Sequence, residues 1–384
     1  MKIFIAAHYN LNNGDRALLE ATLQILKKSR PDALITVSAV NPEILQDKRY
    51  KVVGWPLRNS IINRLWEKMY IDNSFLSGIF LKIFCTKNYL NELADSDIVL
   101  VSGGHHLTDL LGEASYYRLA SNFSIPQYFG KKVVLLPQSL GPANSNEVKR
   151  GIKKILTNAY SIAYRDDASK SFLQSLDITT TNMYVPDLVY SLDIENSNTI
   201  KDVVVVALYH SYSRDNKDKL NFTIPNLIKV INELANSGYL VKIVSMDQGD
   251  EEYYEEIVNG ITPCELRERI IFEESKKNII DTINIFQEAK FSITYKTHST
   301  IFSMIANVPV VAIAYHRKTN EFMESMDLEN YVLDDNEADY ESIMKKIHLL
   351  LDNYEEYKVM ENEGVERNRK KIFKYIRESI EVDS

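Results

Sequence analysis

The sequence predicts an α/β protein built from two Rossmann-like domains that face a central cleft and end in long C-terminal helices. Three observations lead there. A length of 384 residues suits two ordinary domains and exceeds one comfortable hydrophobic core. Short runs that are apolar throughout alternate with segments of helical period, which is the pattern of a parallel sheet covered on both faces. The alternation then restarts near residue 201, after the polar stretch 193–201 (DIENSNTIK). That stretch is read as the linker between domains at 1–192 and 202–384.

In order, 2–8 reads as a strand, and 15–30 as a helix with Ala17, Leu18, Ala21, Ile25 and Leu26 on one face. Further strands are read at 34–40, 97–101 and 132–137, and another ends at Tyr164. The second series has strands at 203–208, 240–245, 269–272, 291–294 and 308–314, separated by helices at 225–236, 279–289 and 299–306. Two apolar stripes close the chain, one on Ile343, Ile347, Leu350 and Leu351 and one on Ile372, Ile376 and Ile380. Two such domains with terminal helices make the arrangement called GT-B. In it, ligands are expected in the crevice at the carboxyl ends of the strands.

Composition narrows the function. An apolar fraction of 45% with 26% charged residues excludes disorder and fibrous classes. A net charge of −8 argues against a nucleic-acid binder. Cys85 and Cys264 have no metal-ligand spacing and fit a reducing cytoplasm. No metal or cofactor is expected. No signal peptide is evident, and no apolar run reaches the roughly 18 residues of a membrane span.

The strand ends carry the candidate chemistry. The first is followed by Asn10, Asn13, Gly14 and Asp15, where the next helix begins and its free N–H groups point outward. The plain alternative is that Asn13 and Asp15 only cap that helix. The strand at 97–101 leads to Gly103, Gly104, His105 and His106. Adjacent histidines point in different directions and do not form a metal pair, so contact with a sugar or proton transfer is the expected role. Pro137-Gln138-Ser139-Leu140-Gly141-Pro142 reads as a turn that brings Gln138 to the crevice. Arg165 follows another strand and can act as an anion fork, or else pair with Asp166 or Asp167.

The most informative stretch is 294–318. Lys296, Thr297, His298 and Ser299 gather at a helix start, and His316, Arg317 and Lys318 follow the next strand. No acidic residue lies between Phe291 and Asn320. In an acidic chain this bias points to a small anion held by cations and helix N–H groups, with His298 as proton carrier.

At these residues the sequence resembles the polysaccharide pyruvyl transferase family. Asn13-Gly14-Asp15, Gly103-Gly104, Ser139-Leu140-Gly141-Pro142, Arg165-Asp166 through Ser169, and Pro186-Asp187 match its motifs in order. His298, followed by 308–313 (VPVVAI) and Lys318, is the strongest match. Two departures stand out. Lys296 occupies a position where the family usually has arginine, and Ser102 one where a third glycine is common.

The resemblance implies a GT-B fold, phosphoenolpyruvate as donor, and a sugar hydroxyl pair of a surface glycan or lipid-linked precursor as acceptor. It also implies donor binding by Arg165, His298 and Lys318. Lys296, Thr297, Ser299 and Arg317 join them on the donor side. Asn10, Asn13, Gly14, Asp15, Gly103, Gly104, His105, His106 and Gln138 are assigned to the acceptor. Two alternatives share the fold: a nucleotide-sugar glycosyltransferase, and a glycan- or sugar-phosphate-binding protein without turnover. The first acid after His298 is Glu321, beyond the basic cluster, which disfavours a ribose-holding carboxylate. Finally, the aromatic-rich segment 74–89 and the six basic residues of 367–377 read either as a core helix and a solvated helix face or, together, as a means of peripheral contact with the inner membrane surface.

Overall fold

A computed structural model describes residues 1–9, 12–45, 47–195, 202–207, 217–246, 250–315 and 317–381, with the side chains of 217–221 and 252–253 left aside. The chain divides into two compact units. The first comprises Met1–Leu11, Leu18–Ser191 and Lys370–Ser384; the second comprises Asn12–Ala17 and Leu192–Arg369.

The first unit is built from β1 (Lys2–His8), most of α1 (Asn13–Ser29), β2 (Leu34–Ala39) and β3 (Lys51–Gly54). Then come α2 (Ser60–Ile71), α3 (Ser77–Phe84), α4 (Lys87–Ala94), β4 (Ile98–Val101), β5 (Gly104–Leu107) and α5 (Glu113–Tyr128). It closes with β6 (Lys132–Leu140), α6 (Asn146–Thr157), β7 (Ser161–Tyr164), α7 (Asp167–Ser175) and β8 (Asn182–Tyr184). The sheet runs β3-β2-β1-β4-β6-β7-β8, with β5 pairing on β6, and every pair is parallel. The switch of direction, where Rossmann-like sheets bind ligands, falls between β1 and β4.

The second unit has β9 (Val203–Ala207), α8 (Lys217–Asn236), β10 (Leu240–Val244), α9 (Asp250–Gly260), β11 (Ile270–Glu273) and α10 (Ile279–Phe286). These are followed by β12 (Phe291–Thr294), α11 (Thr297–Ile305), β13 (Val310–Ala314), α12 (Arg317–Ser325) and β14 (Val332–Asp334), then α13 (Tyr340–Asp352) and α14 (Tyr354–Ile380). Strand order is β11-β10-β9-β12-β13-β14, again all parallel. Here the switch point lies between β9 and β12. The central strands β9, β12 and β13 are buried at every position, as their unbroken apolar runs require.

Four readings of the sequence change. The segment from Pro137 to Leu140 is strand rather than turn, because β5 pairs with it at Gly104–Gln138 and Leu107–Leu140. The turn begins only at Gly141, whose φ of 66° suits glycine. The helix expected from Pro225 starts at Lys217, with Pro225 inside it. One missing backbone hydrogen bond is outweighed by burial of Leu227, Val230, Ile231 and Leu234. The C-terminal stretch from Lys370, expected with the second domain, clusters with the first unit. There Ile372, Ile376 and Ile380 are buried, and the Tyr375 hydroxyl donates to the Leu135 carbonyl at 2.8 Å. Asn12 rather than Asn13 or Asp15 caps α1: its Oδ1 accepts from the Asp15 amide at 2.8 Å, and its amide nitrogen donates back to the Asp15 carboxylate at 2.5 Å. Residues 196–201 of the linker lie outside the described residues.

Candidate functional site

In the second unit, β12 delivers Lys296, Thr297 and His298 to the start of α11. Lys296 occupies the N-cap, and no side-chain cap bond is made there. A lysine can only donate, so it leaves first-turn N–H groups to another acceptor. Ser299, expected on the donor, is fully buried and turns its hydroxyl back onto the Lys296 carbonyl at 2.6 Å. The Thr297 hydroxyl meets that of Thr319 at 3.0 Å. This ties the start of α11 to the start of α12 and brings Lys296 and Lys318 to one edge. Arg317 is different: its side chain is 86% exposed and pairs with Glu321 at 3.2 Å on its own helix. His316 and Asn10 lie outside the described residues.

Asn13, Gly14 and Asp15 were expected with the first domain, yet they belong to the second unit. The cause is Arg16. Its guanidinium donates to Asn13 Oδ1 at 3.0 Å, to the Lys276 carbonyl at 2.7 Å and to that of Lys277. Ser275 adds a hydroxyl bond to Asn13 Oδ1 at 2.7 Å. The turn so held lies against His298: a Cβ on Gly14 would fall 2.4 Å from the ring Nδ1 and 2.6 Å from Cε1. Glycine is therefore required here by close approach to an imidazole. Asn13 and Gly14 thus lie with His298 in the second unit, beside the N-cap Lys296, and Lys318 stands at the start of α12, next to the Thr319 that meets Thr297.

The first unit gathers a second group. β1 ends in a bulge: Ala7 adopts φ 61° and the β1–β2 register shifts between Ile5 and His8. The buried His8 closes this strained corner at the end of β1, near enough to His106 to affect its charge. Sequence reasoning passed over His8, although its place at the first strand end was visible. Gly103 is packed too tightly for a side chain, whose Cβ would fall 2.9 Å from the Pro137 carbonyl oxygen, and Gly104 has φ 148° with His106 Nε2 2.6 Å from where its Cβ would be. His105 Nε2 donates to the Gly141 carbonyl at 2.6 Å, so that nitrogen carries the hydrogen. His106 is buried edge-on to Phe123, with ring centroids 6.3 Å apart. Burial, followed by the nearby His105, Arg165 and His8, pushes its pKa down to about 3. It is therefore a neutral ring, unsuited to carrying a proton at neutral pH. Gln138 is buried and donates to the Ser102 carbonyl at 3.2 Å.

Arg165 stands at the end of β7 and is buried. It pairs with Asp187, and its Nε donates to the Ser139 hydroxyl at 3.1 Å. Neither Asp166 nor Asp167 takes that place. Asp166 instead caps α7, accepting from the Ser169 amide at 2.8 Å and from the Ser139 hydroxyl at 2.5 Å. The Arg165-Asp166 through Ser169 motif is thus partly a bracket, since the Ser169 hydroxyl also accepts from the Leu140 amide at 2.7 Å. Asp187 was not singled out as a site residue, and its apolar neighbours give no signal of the pairing. Among the described residues, no group of His, Cys, Asp or Glu is arranged to hold a metal ion.

Solved structures of similar fold include UDP-GlcNAc 2-epimerase from Neisseria meningitidis bound to UDP-GlcNAc, with TM-score 0.59 and 12% identity over 99% of both chains. The UDP-GlcNAc 2-epimerase from Methanocaldococcus jannaschii gives TM-score 0.58 at 15% identity over 91% of this chain and 92% of that one. Anabaena HepE, solved with UDP-glucose, gives TM-score 0.56 at 12% identity over 99% of both. The fold is GT-B. The Amylovoran biosynthesis protein AmsJ of Erwinia amylovora is 24% identical over 411 aligned residues, spanning 96% of each chain. The profile described as Polysaccharide pyruvyl transferase matches residues 12–317, from the turn that packs on His298 to the start of α12. On that match the chain belongs to the polysaccharide pyruvyl transferase family.

Proposed function

We propose that this protein transfers the pyruvyl group of phosphoenolpyruvate to a sugar of a surface glycan or lipid-linked precursor, closing a ketal. The observation that carries the reading is His298 at the uncapped start of α11, laid against Gly14 and joined by Lys296 and Lys318. A donor bearing a phosphate and a carboxylate needs cations and helix N–H groups. Its methylene carbon needs an acid, and an imidazole titrates in the right range.

In the proposed reaction His298 protonates the methylene carbon, and the adjacent carbon becomes electrophilic. One sugar hydroxyl adds there and gives its proton to the freed imidazole; phosphate then leaves, and a second hydroxyl closes the ring while its proton passes to the departing phosphate or to solvent. Lys296 and Lys318 stabilise the departing phosphate. The assignment of Arg165 to donor binding rests on the family resemblance alone; in the first unit its partners are Asp187 and Ser139. His105 is assigned to the acceptor. His106 is a neutral wall of that group rather than a base.

The test is calorimetric titration with phosphoenolpyruvate and, separately, with a panel of nucleotide sugars. The expected outcome is saturable binding of phosphoenolpyruvate alone, weakened at least about tenfold in Lys318→Ala. His298→Ala should bind the donor yet release no phosphate when acceptor is added. Binding of a nucleotide sugar in place of phosphoenolpyruvate would transfer the assignment to glycosyl transfer.

A further inference from the structure

We propose that α3 and its approach form a docking surface for an anionic lipid bilayer. α3 buries only Ser77 and Leu81. Its opposite stripe is apolar and open to solvent: Phe75 is 91% exposed, Ile83 66% and Ile79 58%, with Leu76 and Phe84 beside them. Isolated exposed aliphatics are ordinary, but a run on one helix face is not.

The end of α5 lies beside α3, with the buried Trp66 beneath both. Phe84 packs on Phe80 with ring centroids 4.7 Å apart, Phe80 on Trp66 at 6.2 Å, and Trp66 on Tyr128 at 5.5 Å. Tyr128 and Phe129 are both exposed, and the Tyr128 hydroxyl lies 3.1 Å from where a Gly78 Cβ would be. Aromatic side chains at the rim of an apolar patch are the residues that favour the headgroup layer.

Charge decides the occupant. From Arg58 to Lys87 the chain carries five basic residues and two acids in a molecule of net charge −8. One acid, Glu67, is buried, and the other, Asp72, lies 3.5 Å from Arg150. Arg64 and Lys68 reach toward Glu147, at 3.6 and 3.7 Å. Lys82 and Lys87 stand exposed on or next to the apolar stripe. A second copy of this chain seated on the same patch by two-fold symmetry would place those lysines against each other. Anionic headgroups would neutralise them while the apolar stripe enters the acyl boundary. In the basic run 367–377 four of the six residues have acidic partners: Arg367 with Asp327, Arg369 with Glu366, Lys374 with Glu378 and Arg377 with Glu381.

This inference does not depend on the donor chemistry. The full chain would be floated with vesicles of phosphatidylcholine alone or mixed with phosphatidylglycerol. We expect binding to the anionic vesicles, at least about tenfold weaker on phosphatidylcholine alone. Phe75→Ser/Ile79→Ser/Ile83→Ser should lose about tenfold or more on the anionic vesicles while keeping its melting temperature and phosphoenolpyruvate binding. Lys82→Glu/Lys87→Glu should lose the anionic preference. Failure of the wild type to float, or undiminished flotation of the serine variant, would overturn the proposal. So would a wild type that stays off the vesicles and sediments as a dimer that the serine variant dissociates.

Discussion

The ring of His298 owes its position to a residue without a side chain. Gly14 lies so close that any substituent would displace the imidazole. Its φ lies outside the left-handed region, so the strain of an alanine comes from the ring it must push aside. Gly14→Ala is therefore expected to lower the melting temperature only modestly, as the imidazole shifts to make room. Turnover with phosphoenolpyruvate should fall about 10²-fold, the cost of moving a reacting group by about an ångström. Thermal melting beside phosphate-release kinetics separates the two effects. Unimpaired turnover would remove His298 from the proposed chemistry. Arg165 and Asp187 illustrate the opposite limit, a buried ion pair whose halves stabilise each other, so removal of either destabilises the fold as well as any bound anion.

Helices α2 and α5 meet through a polar contact inside an apolar layer. The Trp66 indole donates to the Ser124 hydroxyl at 2.9 Å, and the Tyr116 hydroxyl donates to the Glu67 carboxyl at 2.9 Å. Glu67 is buried, and that burial pushes its pKa from the ordinary 4.5 up to about 7. Within that window the folded protein keeps a proton that the unfolded chain has released. The contribution of Glu67 to stability is therefore greatest below 4.5, falls as pH rises toward about 7 and is level above it. The fall is about 3 kcal/mol. Glu67→Gln, which keeps the acceptor oxygen for Tyr116, should flatten it. Urea unfolding on both sides of the window checks this, and an unchanged slope would assign the titration elsewhere. The bracket around Asp166 serves the same end for α7, holding that helix to the end of β6.

The last helix passes from the second unit into the first. α14 lies with the second unit through Arg369, and from Lys370 it packs on the first sheet, where Tyr375 meets Leu135 and Ser161. Tyr375→Ala should cost about 3–5 kcal/mol by loss of a buried aromatic side chain and its hydrogen bond. The loss belongs to the first unit. Hydrogen exchange should quicken in β6 and β7 while β9, β12 and β13 keep their protection. Equal loss in both units would mean that the two unfold as one.

Legibility in the sequence followed the range of the interaction. Continuous apolar strands, the helix starts behind them and the basic cluster from Lys296 to Lys318 are local patterns, written in consecutive residues. They were sufficient for the GT-B class and for placing His298 at a helix N-terminus. The family resemblance rested on the same local motifs. The contacts that join distant segments were not readable that way. Gly14 against His298, Arg16 against the carbonyls of Lys276 and Lys277, Arg165 against Asp187, and β5 against β6 each join residues that share no period or spacing. Their partners are selected by shape and by unsatisfied polar groups that exist only once the sheets have formed. Burial likewise decided the protonation of His106 and Glu67, because the cost of charging a group depends on the dielectric that the folded chain builds around it.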